Sequence, residues 1–156
     1  MSSEPEETFV DLMFDVMNVI QQAVRKKMEE QRFSDAITGP RLRIMWTILK
    51  TGQMRMSDIA AAMGVQPRTM TQYIDSLEAA GFVHRGPDPT DRRAVLIKLS
   101  EAAIPLVEQT RTIINDLNKE ITASIGSEEL VKLTNALKKM KESSEKKAVP
   151  SSPNEA

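Results

Sequence analysis

The sequence predicts a mainly α-helical chain with a small β-hairpin. Three observations carry this. Long apolar stripes at helical spacing lie near both ends, two helical segments meet around Gly64, and two strand-like runs flank the turn-rich stretch 86–90.

Residues 8–30 place Phe9, Leu12, Met13, Val16, Met17, Ile20, Ala23, Val24 and Met28 three and four apart, with Asp11, Asn18, Gln22, Arg25 and Glu29 on the far side. This predicts an amphipathic core helix whose long stripe needs a large partner surface. Gly39-Pro40 predicts a fresh helix start, since proline suits the first helical position. Leu42, Met45, Trp46 and Leu49 give that helix a buried face, and Gly52 ends it. The run "MRM" at 54–56 is too short to assign alone, but it could pair as an edge strand.

Ser57 predicts the N-cap of the next helix, with Asp58 in its first turn facing the positive helix end. Ile59, Ala60 and Met63 follow at helical spacing, and Gly64 stops the helix. After Val65 and Gln66, Pro67 opens a second helix that runs to Ala80 and is closed by Gly81. Two helices joined by a short turn containing glycine make a helix-turn-helix. At about 100° per residue, Met70, Tyr73, Ile74 and Leu77 share one side of the second helix. Arg68, Gln72 and Asp75 lie opposite, with Thr69 and Thr71 flanking. Arg, Gln and Thr are side chains that hydrogen-bond base edges and phosphates, and these sit in the half of the helix that a recognition helix inserts. An ordinary solvated face would carry similar residues.

Phe82–Arg85 and Ala94–Leu99 are the best strand segments of the chain, and Gly86, Pro87, Asp88, Pro89 and Thr90 suit a stiff turn between them. A hairpin directly after a recognition helix is a wing, so the whole is a winged helix-turn-helix. Its tip, Arg92-Arg93, would lie beside a duplex and reach phosphates or the minor groove. From Ser100 a helical stripe runs through Ile104, Val107, Ile114, Leu117, Ile121 and Ile125, with Pro105 near its start and Gly126 at its end. Ser127-Glu128-Glu129 then caps a last helix with Leu130, Leu133, Leu137 and Met140 as its stripe.

The domain plan that follows is a flexible tail at 1–7 and one domain at 8–141. Within it the winged helix-turn-helix occupies about 40–99, and long helical segments occupy about 8–31 and 100–141. The tail 142–156 has almost nothing to bury and is expected to be disordered.

Composition narrows the function. The chain has 156 residues, 40% hydrophobic and 28% charged, with a net charge of −1. Bulk charge leaves nucleic-acid binding open, because a local basic patch can coexist with an acidic remainder. There is no cysteine and only one histidine, His84, so thiol chemistry, a His-rich metal site and a Ser-His-Asp relay all lack their parts. Gly64 and Gly81 are isolated, so no glycine-rich phosphate loop is present. The expectation is a binding protein, not an enzyme, with no cofactor and no metal. No apolar run approaches the roughly 20 residues that span a membrane. "MSSEPEE" lacks the basic start and apolar core of a signal peptide, so a cytoplasmic location is expected.

The order of elements and the residues together resemble the MarR family of transcriptional regulators, over roughly 8–141. "DRRAVLIKLSEAA" follows the family's wing pattern of Asp, any residue, Arg, a strand, then Leu-Thr: Asp91, Arg93 and Leu99 match, and Ser100 stands where Thr is usual. "SDIAAAMGVQPRTMTQYIDSLEAAGFVHR" resembles the family's helix-turn-helix and following strand. Gln72 and Ser76 occupy positions where members often carry Arg, Ala103 replaces a common Gly, and His84 replaces a usual Glu or Arg.

The resemblance implies a homodimer formed through the N-terminal and last two helices, binding a palindromic site on double-stranded DNA, most often as a repressor. Arg68, Thr69, Thr71 and Gln72 would read the major groove, and Arg92 or Arg93 would enter or border the minor groove. Asp91 would form the turn and also hold the neighbouring arginine by a charge-assisted hydrogen bond. Resembling proteins often bind a small aromatic or phenolic effector. Here Met13, Met17, Met45 and Trp46 would line its pocket with Arg41 or Arg43 as anion anchor, although methionines at helical spacing are more often core filler. The alternative is a winged-helix protein-interaction module without specific DNA binding.

Overall fold

A computed structural model describes residues 7–37 and 39–148. In chain order the elements are α1 (Phe9–Glu30), a 3-10 turn (Asp35–Ile37), α2 (Pro40–Thr51), β1 (Gln53–Arg55), α3 (Met56–Met63), α4 (Pro67–Ala79), β2 (Val83–Pro87), β3 (Val95–Leu99), α5 (Ala103–Thr122) and α6 (Ser127–Ala148). The chain divides into two compact units, residues 1–117 and 118–156. No described helix is long and apolar enough to cross a membrane.

In the first unit, α1 starts at a capping box. The Thr8 hydroxyl accepts from the Asp11 N–H at 3.2 Å, and the Asp11 carboxylate accepts from the Thr8 N–H at 3.0 Å. The predicted stripe is present, but Met28 is its only fully buried member; Phe9, Leu12, Val16, Met17 and Ile20 stay exposed. In α2 the buried side chains are Leu42, Ile44, Met45 and Ile48, while the expected Trp46 and Leu49 are half-buried.

The strand at 54–56 is found one residue earlier, at Gln53–Arg55, and it is an edge strand as expected. It runs straight into α3, so Arg55 rather than Ser57 is the N-cap residue and no side chain caps the helix. Asp58 does stand in the first turn. Gly64 adopts a left-handed conformation (φ 64°) that lets the chain reverse into α4.

The sheet is antiparallel in the order β1-β3-β2. β2 begins at Val83 instead of Phe82 and continues through Gly86 and Pro87, residues expected in the turn, because these still pair with Leu96 and Val95. Proline is tolerated there since β2 is an edge strand. The core joins Ile44, Met45 and Ile48 of α2 to Ile59 of α3, Met70, Ile74 and Leu77 of α4, Val83 and Ile97 of the sheet, and Val107 of α5.

A two-residue turn separates Ser100 from α5. The buried Ser100 hydroxyl donates to Gly81 O at 2.8 Å and accepts from the Ala103 N–H at 3.2 Å, so it ties the end of α4 to the start of α5.

The second unit contains the end of α5 and all of α6. α5 stops at Thr122, four residues before Gly126, where i to i+3 bonds tighten its last turn: Ala123 N–H to Glu120 O and Ile125 N–H to Thr122 O. At α6 the Glu129 carboxylate reaches back to the Gly126 N–H at 3.3 Å. α6 runs to Ala148, which corrects the expected disorder from 142. The run 141–146 is mostly Lys, Glu and Ser, tolerant of helix without burial, with a Lys141–Glu145 pair at 3.7 Å one turn apart. Residues 1–6 of the expected N-terminal tail and 149–156 of the C-terminal one lie outside the described residues.

Candidate nucleic-acid interface

α4 buries its apolar side chains on one face. Met70, Ile74 and Leu77 are fully buried and Tyr73 is half-buried, whereas Arg68, Thr71, Gln72 and Asp75 are exposed. Thr69 is half-buried, so it stands at the edge of the free face. The Thr71 hydroxyl donates to Pro67 O at 3.0 Å and lies 3.8 Å from Met56 Sδ. Gly81 (φ 76°) ends the helix with Gly81 N–H to Glu78 O and Phe82 N–H to Leu77 O, which aims the chain directly into β2.

The wing is fastened at its base and at its tip by two different aspartates. At the base, Asp88 is buried. Its carboxylate accepts from the Thr90 N–H at 2.8 Å, the Thr90 hydroxyl at 2.7 Å and Arg55 Nε at 2.6 Å. The Arg55 guanidinium also reaches the Thr90 oxygen at 3.1 Å. The Thr90 donors, followed by Arg55, hold the Asp88 carboxyl down to about 2, against the cost of burial. Arg55 thus ends β1, opens α3 and anchors the wing; nothing local in the sequence joins it to a residue 33 positions on.

At the tip, the Asp91 carboxylate accepts from the Arg93 backbone N–H at 2.9 Å, and Asp91 O accepts from the Ala94 N–H at 3.0 Å. Of the two roles expected of Asp91, the turn-forming one is present as an Asx turn, in which the short side chain bonds the main chain two residues on; its bond to Arg93 goes to the backbone N–H and not to the guanidinium. Asp91 sets the path of the backbone, and the exposed Arg92 and Arg93 side chains project from it.

Thr71 and Arg93 are brought together. They line a groove of about 630 Å³ with Arg55, Met56, Val65, Pro67 and Val95, between the first turns of α4 and the wing. None of Met13, Met17, Arg41, Met45 and Trp46 lines it. Met45 is enclosed in the core, and Met17 is 45% exposed on α1, with Met13 half-buried on the same helix. The Trp46 indole N–H donates to the buried Thr110 hydroxyl at 3.0 Å, and the Arg111 guanidinium lies 5.0 Å from the Trp46 ring. The Arg41 guanidinium lies 5.8 Å from the Tyr73 ring, and its buried Nε has no hydrogen-bond partner among the described residues.

Residues 37–95 match the model of the MarR family. Among solved structures, the complex of S. aureus MepR with DNA is 23% identical with a TM-score of 0.77, over 88% of this chain and 99% of that one. PcaV from Streptomyces coelicolor, in complex with its natural ligand, is 14% identical with a TM-score of 0.79, over 92% and 99%. NadR in complex with 4-hydroxyphenylacetate is 19% identical with a TM-score of 0.67, over 90% and 97%. The fold is the one these proteins share, and the segment that matches the MarR family model holds the helix-turn-helix and the wing loop.

Proposed function

We propose that the protein is a homodimeric, sequence-specific DNA-binding transcriptional regulator that represses from a palindromic operator, and that it is not an enzyme. The observation that carries this is the pairing of two free surfaces in one unit: the open face of α4 and the arginine-tipped wing. Arg68, Thr71 and Gln72, with Thr69 at the edge, would enter the major groove. Arg92 and Arg93 would contact phosphates or the minor groove, on a loop that Asp91 holds in place. MepR, of the same fold, was solved with DNA, which supports the reading.

The dimer is supported by apolar side chains left in solvent. These include Phe9, Val10, Leu12 and Phe14 on α1 and, in the other unit, Val131, Leu133 and Met140 on α6. Two recognition helices would then sit about 34 Å apart, one helical turn of DNA. An aromatic or phenolic anion is the effector class we favour, since NadR was solved with 4-hydroxyphenylacetate. Arg41, whose buried Nε has no partner among the described residues, is the anchor we assign, and Met13, Met17, Met45 and Trp46 are the side chains that would surround such a ligand.

The test is selection of bound duplexes from a random DNA pool by the purified protein. A palindrome with half-sites one turn apart is the expected result, with affinity falling steeply as salt rises. Recovery of no preferred sequence and no salt dependence would favour a protein-interaction module instead.

A further inference from the structure

Arg85 holds two carboxylates of α4, and no sequence pattern assigned it a role. It lies in the middle of β2, paired with Ile97, and shares the inward face of the strand with Val83. Its stem therefore runs along the core side of the sheet, and its head emerges against α4. There the guanidinium bonds Asp75 through one nitrogen and Glu78 through the other. The two acids are three residues apart, so they stand one above the other on a single side of the helix. Glu78 makes a second bond, accepting from the Arg85 backbone N–H at 3.3 Å. β2 is an edge strand, so this satisfies an amide on the open side of the ladder. Partial burial opposes the charge on Arg85, yet the hydrogen bonds to Asp75 and Glu78 outweigh it and hold the group above the ordinary arginine range.

The consequence is geometric. α4 carries the residues proposed to read bases, and β2 leads into the loop that carries Arg92 and Arg93. They are already joined by the turn at Gly81 and by the buried core that Ile74 and Leu77 share with Val83 and Ile97. Arg85 adds a polar fixed point outside that core, three to six residues back along α4 from the turn. The corner is braced on its solvent side as well as its buried side.

We propose that Arg85, Asp75 and Glu78 form a positioning clamp that sets the angle between the recognition helix and the wing, and so the fit of both to DNA. The proposal rests on the DNA-binding reading above. It also predicts an effect opposite in sign to plain electrostatics. Asp75→Asn with Glu78→Gln removes two negative charges beside a polyanion and frees an arginine, so charge alone would tighten DNA binding. Loss of the clamp would weaken it.

The experiment measures binding of the wild type, the Asp75→Asn/Glu78→Gln double variant and Arg85→Ala to the duplex that the wild type selects from a random pool. Circular dichroism is recorded for each. The expected result is a drop of about tenfold or more for the double variant, with helical content unchanged, and a similar drop for Arg85→Ala. Equal or tighter binding by the double variant overturns the clamp, whether or not Arg85→Ala folds. A wild type that selects no duplex overturns the DNA-binding reading itself, and the clamp with it.

Discussion

Helices α1 and α4 are both amphipathic, and their sequences look alike at first sight, but they finish differently. On α4 the apolar positions 70, 73, 74 and 77 span an arc of about 100°, which one neighbouring core can cover, and Met70, Ile74 and Leu77 are 0% exposed. On α1, Phe9, Val10, Leu12, Met13, Phe14, Val16, Met17, Val19 and Ile20 extend over more than half of the circumference, and Phe14 and Val19 are 61% and 62% exposed. A narrow stripe is satisfied within the subunit. A broad one leaves apolar side chains in solvent, which is what the proposed dimer would cover.

The most severe way to break the contrast is on the closed side. Ile74→Ala should cost about 2–5 kcal/mol, because the emptied volume lies in a core that relaxes only partly; denaturant unfolding measures it. The matching change on the open side, Phe14→Ser, should leave far-UV circular dichroism intact and halve the mass seen by sedimentation. A mass that does not change would remove α1 from the interface.

The helix ends sharpen the comparison further. Both helices close with the same pair of bonds, Phe82 N–H to Leu77 O and Gly81 N–H to Glu78 O on α4, Phe33 N–H to Met28 O and Arg32 N–H to Glu29 O on α1. α4 uses glycine at the left-handed position, whereas α1 uses Arg32 at φ 57°. Gly81→Ala should therefore destabilise by about 1–2 kcal/mol, and Arg32→Gly should stabilise by up to about 1 kcal/mol, both read from thermal melts.

The smallest effect is at the beginnings. Hydrogen bonds from the Thr8 hydroxyl and N–H hold the Asp11 carboxyl below its ordinary value of 3.8. A lowered folded-state value means the cap contributes fully above that ordinary value and is lost as pH falls through the lowered one. α4 begins with Pro67 and no side-chain cap. Acidification below pH 3.8 should thus lower the amide protection of the first turn of α1, measured against the intrinsic exchange rate at each pH, and leave the protection of the first turn of α4 unchanged.

Much of this was legible in the sequence, for reasons that separate by range. The helices, the edge strand, Gly64, Gly81 and the wing arginines are set by local periodicity and turn chemistry, which neighbouring residues reveal. The helix-turn-helix and wing were placed to within a residue or two on that basis. Three misplacements are also local competitions: Ser57 is a good cap in isolation, but β1 runs on to Arg55 and takes the position; Gly86 and Pro87 suit a turn, but their register with β3 keeps them paired; and 142–148 lack a stripe but remain good helix formers. What the sequence concealed is long-range. Arg55 meeting Asp88, Trp46 meeting Thr110, and Arg85 bracing Asp75 and Glu78 depend on the sheet and helices being assembled first.

Trp46 has a further use. It is the only tryptophan of the chain, hydrogen-bonded to Thr110 and stacked beneath Arg111. Both partners belong to α5, while the ring belongs to α2. Its emission colour and intensity depend on that polar, cationic neighbourhood, so the protein carries an optical gauge of the seam between these two helices, readable without a label in a single cuvette.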